Sequence, residues 1–391
     1  MNIIEIPTLS SDMTLEQWLI YWFDAYVKRN VKRSTAVSYL GMINNHINPK
    51  IGKYRLSELN TNILQMFFNS EADSGSARGG GLSPKSLQNI KRMLHKALEK
   101  AVETELISKN YSNYVDIPAV IPPEMIVLTV KEHKRLIGAL MSSEDPLDFG
   151  IFLSVSLGLR LGEVLGLQWG DIDRRNNTVN IRRTVNRLAV INGGKRKTEI
   201  VIGTPKTKSS KRSIPVTEDF LKYFDIYASK FPGRKDSGDF LFKSSKKSKP
   251  CEPKTMQKHF KAILKELKIK GPTFHSLRHT FATRAIEKNV DVKTLSALLG
   301  HADVSITLNR YAYVLDDHKR KTMGILLSDI SEYKIFSAPI SLKSFMLSQG
   351  FFCPTKPKIN RKQRRIQTFT LVKLQTFTLA KAYLLVKDLY R

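Results

Sequence analysis

The sequence predicts a mainly α protein in two parts: a helical bundle, then a helical domain of α+β class that contains a small antiparallel sheet. Three observations carry that reading. Apolar residues recur at helical spacing within 13–118 and on both sides of the segment from Trp169 to Val216. Short segments rich in Val, Ile and Thr are confined between Trp169 and Val216. Pro118, Pro122 and Pro123 interrupt any helix between the two parts, because each proline restricts itself and the residue before it.

The elements follow in chain order. Residues 1–12 form an N-terminal extension, and residues 13–118 a helical domain. Its clearest helix spans 83–107: Ser83 caps, Pro84 suits the first turn, and Leu87, Ile90, Leu94, Ala97, Leu98 and Ala101 share one face. A second helix begins at Ser34, behind the basic cluster Lys28, Arg29, Lys32 and Arg33, and the Gly-rich run 74–81 connects elements. Residues 119–125 are the linker. The second domain, 126–327, opens on Thr129 and Glu132, a capping-box pair ahead of Leu136, Ile137 and Leu140. Strands are expected at Thr178–Val185, Ile200–Ile202 and Ser213–Val216, with Asn192-Gly193-Gly194 as a turn. Helices resume near Thr217 and from His275 towards Leu327, with Gly300 ending one helix and Asp303 capping the next. The tail, 328–391, stands apart: residues 356–391 hold ten Lys or Arg against one acid, Asp388, and repeat Gln-Thr-Phe-Thr-Leu at 367 and 375.

Composition narrows the function. Of 391 residues, 64 are basic and 35 acidic, a net charge of +29. Such an excess seeks a polyanion, and nucleic acid leads because phosphate neutralisation releases counterions. An anionic membrane surface fits less well, since the basic residues are spread through every segment instead of lining one amphipathic helix. No apolar run is long enough to span a bilayer, and the N-terminus lacks an export signal. Cys251 and Cys353 match no metal spacing and read as free thiols of a reducing cytoplasm.

Four separated segments hold the residues suited to phosphate chemistry: Gly158-Leu159-Arg160-Leu161-Gly162-Glu163, His275-Ser276-Leu277-Arg278-His279, Leu299-Gly300-His301, and Tyr311 ten residues beyond His301. An arginine presents two parallel donors to non-bridging phosphate oxygens, in a geometry lysine lacks. Arg160 lies among Val155, Leu157, Leu159 and Leu161, where an unpaired charge is costly unless a site needs it; the competing reading of any single arginine is a surface salt bridge. His275 and Arg278, three apart on a helix, share one face. His275 is placed to act as general base, since a histidine titrates near neutrality and a free tyrosine only near about 10. His301 follows a helix-ending glycine, where capping competes with a hydrogen bond to phosphate. Tyr311 and Tyr313 both suit a nucleophile or an amphipathic core position. Glu163 reads as an orienting partner for a basic neighbour. A zinc site from His275, His279 and His301 is the rival arrangement, disfavoured because the Glu of HExxH is absent and Arg278 repels a cation; His279 therefore reads as structural.

In order and spacing these segments resemble the tyrosine recombinases, also called phage integrases, over roughly residues 13–325, and are most similar to integrases of conjugative transposons and phages of low-GC Gram-positive bacteria. The resemblance implies a helical core-binding domain at 13–118 and a catalytic domain at 126–327 that clamp double-stranded DNA at attachment sites. It implies a homotetramer on DNA, an excisionase or DNA-bending accessory protein as a partner, no membrane, and no metal or cofactor, the two arginines supplying the positive charge. Catalytic roles fall on Arg160, Lys206, His275, Arg278, His301 and Tyr311, with Tyr311 selected over Tyr313 by position. A turn lysine in this family protonates the leaving 5′ oxygen; Lys206 matches it, while Lys208 remains the alternative. The activity implied is site-specific strand cleavage and rejoining through a 3′-phosphotyrosine, integrating or excising a mobile element. Many such integrases carry an N-terminal arm-binding domain, expected here to be absent or to precede this sequence. A DNA-binding protein without catalysis and a type IB topoisomerase are the alternatives.

Overall fold

A computed structural model of the chain describes residues 9–122, 124–191, 197–204, 208–230, 235–244, 249–311, 322–324 and 327. The turn at 192–194, Lys206, Tyr313, Cys353 and the tail at 328–391 lie outside the described residues. The chain divides into Met1–Lys319 and Arg320–Arg391, and everything below concerns the first unit.

The described residues of its N-terminal part include the α-helices α1 (Leu15–Trp22), α2 (Arg33–Met42), α3 (Asn48–Ile51), α4 (Thr61–Ser74) and α5 (Pro84–Glu103). The helix expected over 83–107 starts where predicted, with Ser83 Oγ accepting from the Ser86 amide at 3.2 Å. It stops earlier because Glu105 adopts a left-handed φ of 60° and Leu106 N–H turns back to the Ala101 carbonyl at 2.9 Å. Seven α5 side chains are buried, and the five larger ones, Leu87, Ile90, Met93, Leu94 and Leu98, contribute about 1.5–3 kcal/mol each when fully withdrawn from water. Trp18 joins them, its indole N–H donating to the Ala97 carbonyl at 3.0 Å. This core closes on itself from Leu15 to Val115.

Residues 115–122 and 124–129 carry no regular secondary structure. Then come α6 (Val130–Ser142), which has the capping box expected from Thr129 and Glu132, α7 (Pro146–Leu157) and α8 (Leu161–Gly166). α7 is buried on nearly all faces, so its run of Phe149, Ile151, Leu153 and Val155 forms the centre of a second core. Phe149 stacks on Tyr227 with ring centroids 4.0 Å apart.

Where one strand was expected over Thr178–Val185, the chain forms two, and the single small sheet becomes two antiparallel sheets. β1 (Ile172–Asp173), β2 (Thr178–Ile181) and β5 (Arg212–Pro215) form one, in the order β1-β2-β5; β3 (Thr184–Ala189) and β4 (Thr198–Gly203) form the other. The break falls at Arg182-Arg183. Arg183 Nη1 pairs with the buried Asp171 carboxylate at 2.5 Å and also donates to the Gly166 carbonyl at 3.2 Å. That anchorage turns the backbone out of the first sheet. Beyond β5 lie α9 (Glu218–Ser229), capped by Thr217, α10 (Pro253–Glu266), α11 (Phe274–Glu287), α12 (Val292–Leu299) and α13 (Val304–Arg310). α11 packs on α7 and α12, and α12 on α13. No helix among the described residues is long and apolar enough to cross a membrane.

Candidate active site

Three helix ends meet where α7, α11 and α12 converge. α7 terminates at Gly158, whose φ of +66° suits a residue without a Cβ; a Cβ there would sit 2.5 Å from the Phe281 ring. The turn leaves Arg160 in extended conformation, with Ser154 Oγ donating to the Leu159 carbonyl at 2.8 Å. Arg160 thus becomes the N-cap of α8. α12 ends the same way at Gly300, φ +64°, after which the His301 amide returns to the Ser296 carbonyl at 3.1 Å and Asp303 caps α13.

Both turns leave helix-end carbonyls to be satisfied, and a buried arginine does so. Arg278, 2 % exposed, donates from Nη1 to the Gly158 carbonyl at 2.9 Å and from Nη2 to the Leu299 carbonyl at 2.8 Å. It therefore fastens the end of α7 to the end of α12, a favourable place for a cation. Burial and the nearby Arg160 lower its pKa to about 9, which leaves it charged at neutral pH.

Arg160 is not the unpaired charge among apolar neighbours that its sequence context suggested. Its side chain is 37 % exposed, and its Nη1 donates to Glu163 Oε1 at 2.7 Å. The reason is the short turn of α8: Glu163 is the third helical residue and reaches back to accept from the Arg160 amide at 3.0 Å as well. Glu163 is 3 % exposed and also binds Arg212, whose Nη2 lies 3.0 Å from Oε2 and Nη1 3.3 Å from Oε1. Burial alone would raise the carboxyl's pKa, but Arg212 first, then Arg160, hold it below the usual range. Arg212 Nε in turn donates to the Leu298 carbonyl at 2.6 Å. Arg160, α8, β5 and the end of α12 are thereby linked through one carboxylate.

Three histidines surround these cations. His301 Nδ1 shares a 2.7 Å hydrogen bond with Thr307 Oγ1, a buried residue of α13. His275 lies exposed on the first turn of α11, and its ring meets that of His279 edge to face at 4.6 Å. Desolvation, then the charges of Arg278, Arg310 and Arg160, lower His275 to about 4. His301 is lowered to about 4 by desolvation and by Arg278, Arg160 and Arg310. His279 reaches about 4 through desolvation, His275 and Arg310. His279 and His301, both half-buried, are neutral near pH 7.

Tyr311 caps the end of α13 and is 1 % exposed, packed with Ala282, Ile286, Leu295 and Leu299. Its hydroxyl shares a 3.0 Å hydrogen bond with His279 Nδ1. Of the six residues expected in the site, Arg160, His275, Arg278, His301 and Tyr311 are brought together, the charges of Arg160 and Arg278 reaching both His275 and His301; Lys206 lies outside the described residues. Sequence reasoning missed Arg212, Arg310 and Thr307, and set His279 aside as structural. Such a cluster of arginines and neutral imidazoles can hold a phosphodiester, offset charge developing on it, and accept a proton from a phenol.

Residues 127–318 match the phage integrase family, and residues 14–71 match the N-terminal SAM-like domain of phage integrases. The chain is 27 % identical over 332 residues to a XerC-like tyrosine recombinase of Caldanaerobacter subterraneus, an alignment covering 81 % of this chain and 83 % of the relative. It is 27 % identical over 259 residues to the ICEBs1 integrase of Bacillus subtilis, covering 64 % and 67 %. Among solved structures, the fold resembles the Tn1549 transposon integrase in complex with a circular intermediate DNA, with a TM-score of 0.65 and 23 % identity over 80 % of this chain and 99 % of the other. It also resembles a lambda integrase tetramer bound to a Holliday junction, with a TM-score of 0.53 and 21 % identity over 74 % and 78 %.

Proposed function

This chain belongs to the phage integrase family, the tyrosine recombinases, and on that premise we propose that the cluster around Arg160 and Arg278 is its strand-cleavage site. The protein is a site-specific DNA recombinase, an enzyme that cuts and rejoins strands. Tyr311 attacks a backbone phosphate and becomes joined to the 3′ end, conserving the bond energy until a 5′ hydroxyl of another strand reverses the step. Arg160, exposed enough to reach a ligand and steadied by Glu163, binds non-bridging oxygens together with Arg278. His301, held by Thr307, adds a hydrogen bond. A neutral imidazole on α11 takes the tyrosine proton, the role assigned to His275, and Lys206 protonates the leaving oxygen.

The single observation that carries this reading is the convergence of Arg160, Arg278, His275 and His301, drawn from three separated segments, on the site that also holds Tyr311. The remaining assignments extend it. Residues 13–118 and 126–327 act as core-binding and catalytic domains on opposite sides of duplex DNA, four protomers work together in the cytoplasm, and the net charge of +29 supplies affinity for the backbone.

The test is cleavage of DNA from the junctions of the host element against random duplex of equal length, both in excess EDTA. Covalent complex forming on junction DNA only, and persisting under chelation, is expected. Relaxation of supercoiled plasmid with no sequence preference would assign the chain to topoisomerase chemistry instead, and activity lost to EDTA and restored by magnesium or zinc would remove the arginine-based reading.

A further inference from the structure

The tyrosine hydroxyl has a partner to which the reading above gives no chemical part. Tyr311 Oη lies 3.0 Å from His279 Nδ1, and the two rings meet edge to face with centroids 6.1 Å apart. The phenol ring is walled in by Ala282, Ile286, Leu295 and Leu299, so the hydroxyl's direction is set by packing and not by a mobile side chain. His279 itself sits one residue from Arg278, on the helix that carries the phosphate-binding arginine into the site.

We propose that His279 is a further catalytic residue of strand cleavage: its Nδ1 holds the Tyr311 hydroxyl and takes up the phenolic proton as the oxygen attacks phosphorus. The proposal rests on Tyr311 being the nucleophile. The bond formed is Tyr311 Oη to phosphorus, and the bond broken is phosphorus to the 5′ oxygen. One proton passes to His279 Nδ1, and the leaving oxygen takes one from the general acid assigned to Lys206. His275, which is exposed, is then left to the phosphate, and the base moves one turn along α11.

For Nδ1 to accept, the imidazole must be neutral with its proton on Nε2. The charged and titratable groups facing it are His275 and Arg278 on α11 and Arg310 at the end of α13, all of which oppose a second proton. They keep the acceptor lone pair available at neutral pH. A phosphodiester entering beside the arginines brings one negative charge, which offsets those cations and raises the basicity of the imidazole when the proton has to move.

The experiment uses the full chain and a nicked substrate from which the cleaved end diffuses away, with the rate of covalent complex followed from about pH 6 to 9. His279→Asn places an amide oxygen where Nδ1 accepts, so the hydrogen bond survives but no proton can be taken. We expect His279→Asn to bind the substrate as the parent does, to form adduct about a hundredfold more slowly at neutral pH, and to recover roughly tenfold per pH unit as hydroxide replaces the lost base. His275→Asn should keep the parental slope. Adduct formation by His279→Asn within threefold of the parent, with an unchanged profile, overturns the proposal. Should the variant misfold, nitrogen NMR of labelled histidines in the parent against Tyr311→Phe decides: loss of the hydroxyl must shift His279 Nδ1, and an unmoved resonance refutes the contact. Adduct persisting in Tyr311→Phe would instead overturn the nucleophile assignment, whatever His279 does.

Discussion

Replacing Glu163 by Gln keeps the shape of the side chain and removes its charge, a small change at the point where Arg160, Arg212, β5 and α12 are joined. Glu163 is 3 % and Arg212 6 % exposed, so the substitution leaves a guanidinium uncompensated in the interior and turns an amide donor towards it. Breaking a buried charged pair from one side costs about 3–5 kcal/mol; the retained carbonyl acceptor puts Gln at the lower end, about 3 kcal/mol. For a domain of about 200 residues each kcal/mol moves Tm by about 2–4 °C, so a fall of about 6–12 °C is expected. Cleavage should fall further than stability requires, by about a hundredfold under conditions where the variant is fully folded, because the Arg160 guanidinium loses its 2.7 Å anchor. The acid side supplies a check of sign. The carboxyl's folded pKa lies below its unfolded value of about 4.3, so its stabilisation is complete above that value and is lost as pH falls through the lowered folded one. The gap between parent and Gln variant must therefore narrow on acidification below about pH 4. Removing both charges, Glu163→Leu with Arg212→Met, should restore much of the Tm while cleavage stays low. Thermal melts and single-turnover cleavage read all of this. A Gln variant melting within about 2 °C of the parent and cleaving at a similar rate would refute the claim that this carboxylate organises the site.

Two further expectations follow from the same geometry and chemistry. Gly300→Ala forces a left-handed φ of +64° on a residue with a Cβ that would meet Arg212 Nη1 and the Ser209 carbonyl at 3.0 Å, so it should cost about 1–2 kcal/mol and show as a lower Tm in a melt; an unaltered Tm would deny the turn its part. Lys206→Ala should cleave ordinary DNA slowly yet be rescued on a substrate with sulfur at the 5′-bridging position, since a thiolate leaves without a proton; rescue confined to Lys208→Ala would move the role two residues along.

What was legible in the sequence was local. Ser83, Thr129 and Asp303 cap the helices they precede, and Gly300 ends α12, because capping and left-handed turns depend on residues within one turn of each other. The ordered motifs located Arg160, His275, Arg278, His301 and Tyr311 for the same reason: each is a short segment with its own pattern. What escaped was pairing at a distance. Arg183 bends the strand by binding Asp171, Arg212 reaches Glu163 from β5, and His279 meets Tyr311 from another helix; no periodicity encodes such contacts. The apolar neighbours of Arg160 suggest an unpaired charge, whereas its position as N-cap sets it against the carboxylate of Glu163, three residues on.

The central claim is that Tyr311 becomes covalently joined to DNA, and trapping that adduct tests it most directly. A nicked substrate carrying the element's junction sequence, incubated with the full chain, digested and analysed by mass spectrometry, should yield a peptide containing Tyr311 linked to the 3′ phosphate. Tyr311→Phe should bind the same DNA and yield no adduct. A label on Tyr313, or no adduct on any junction sequence while binding persists, would contradict the account.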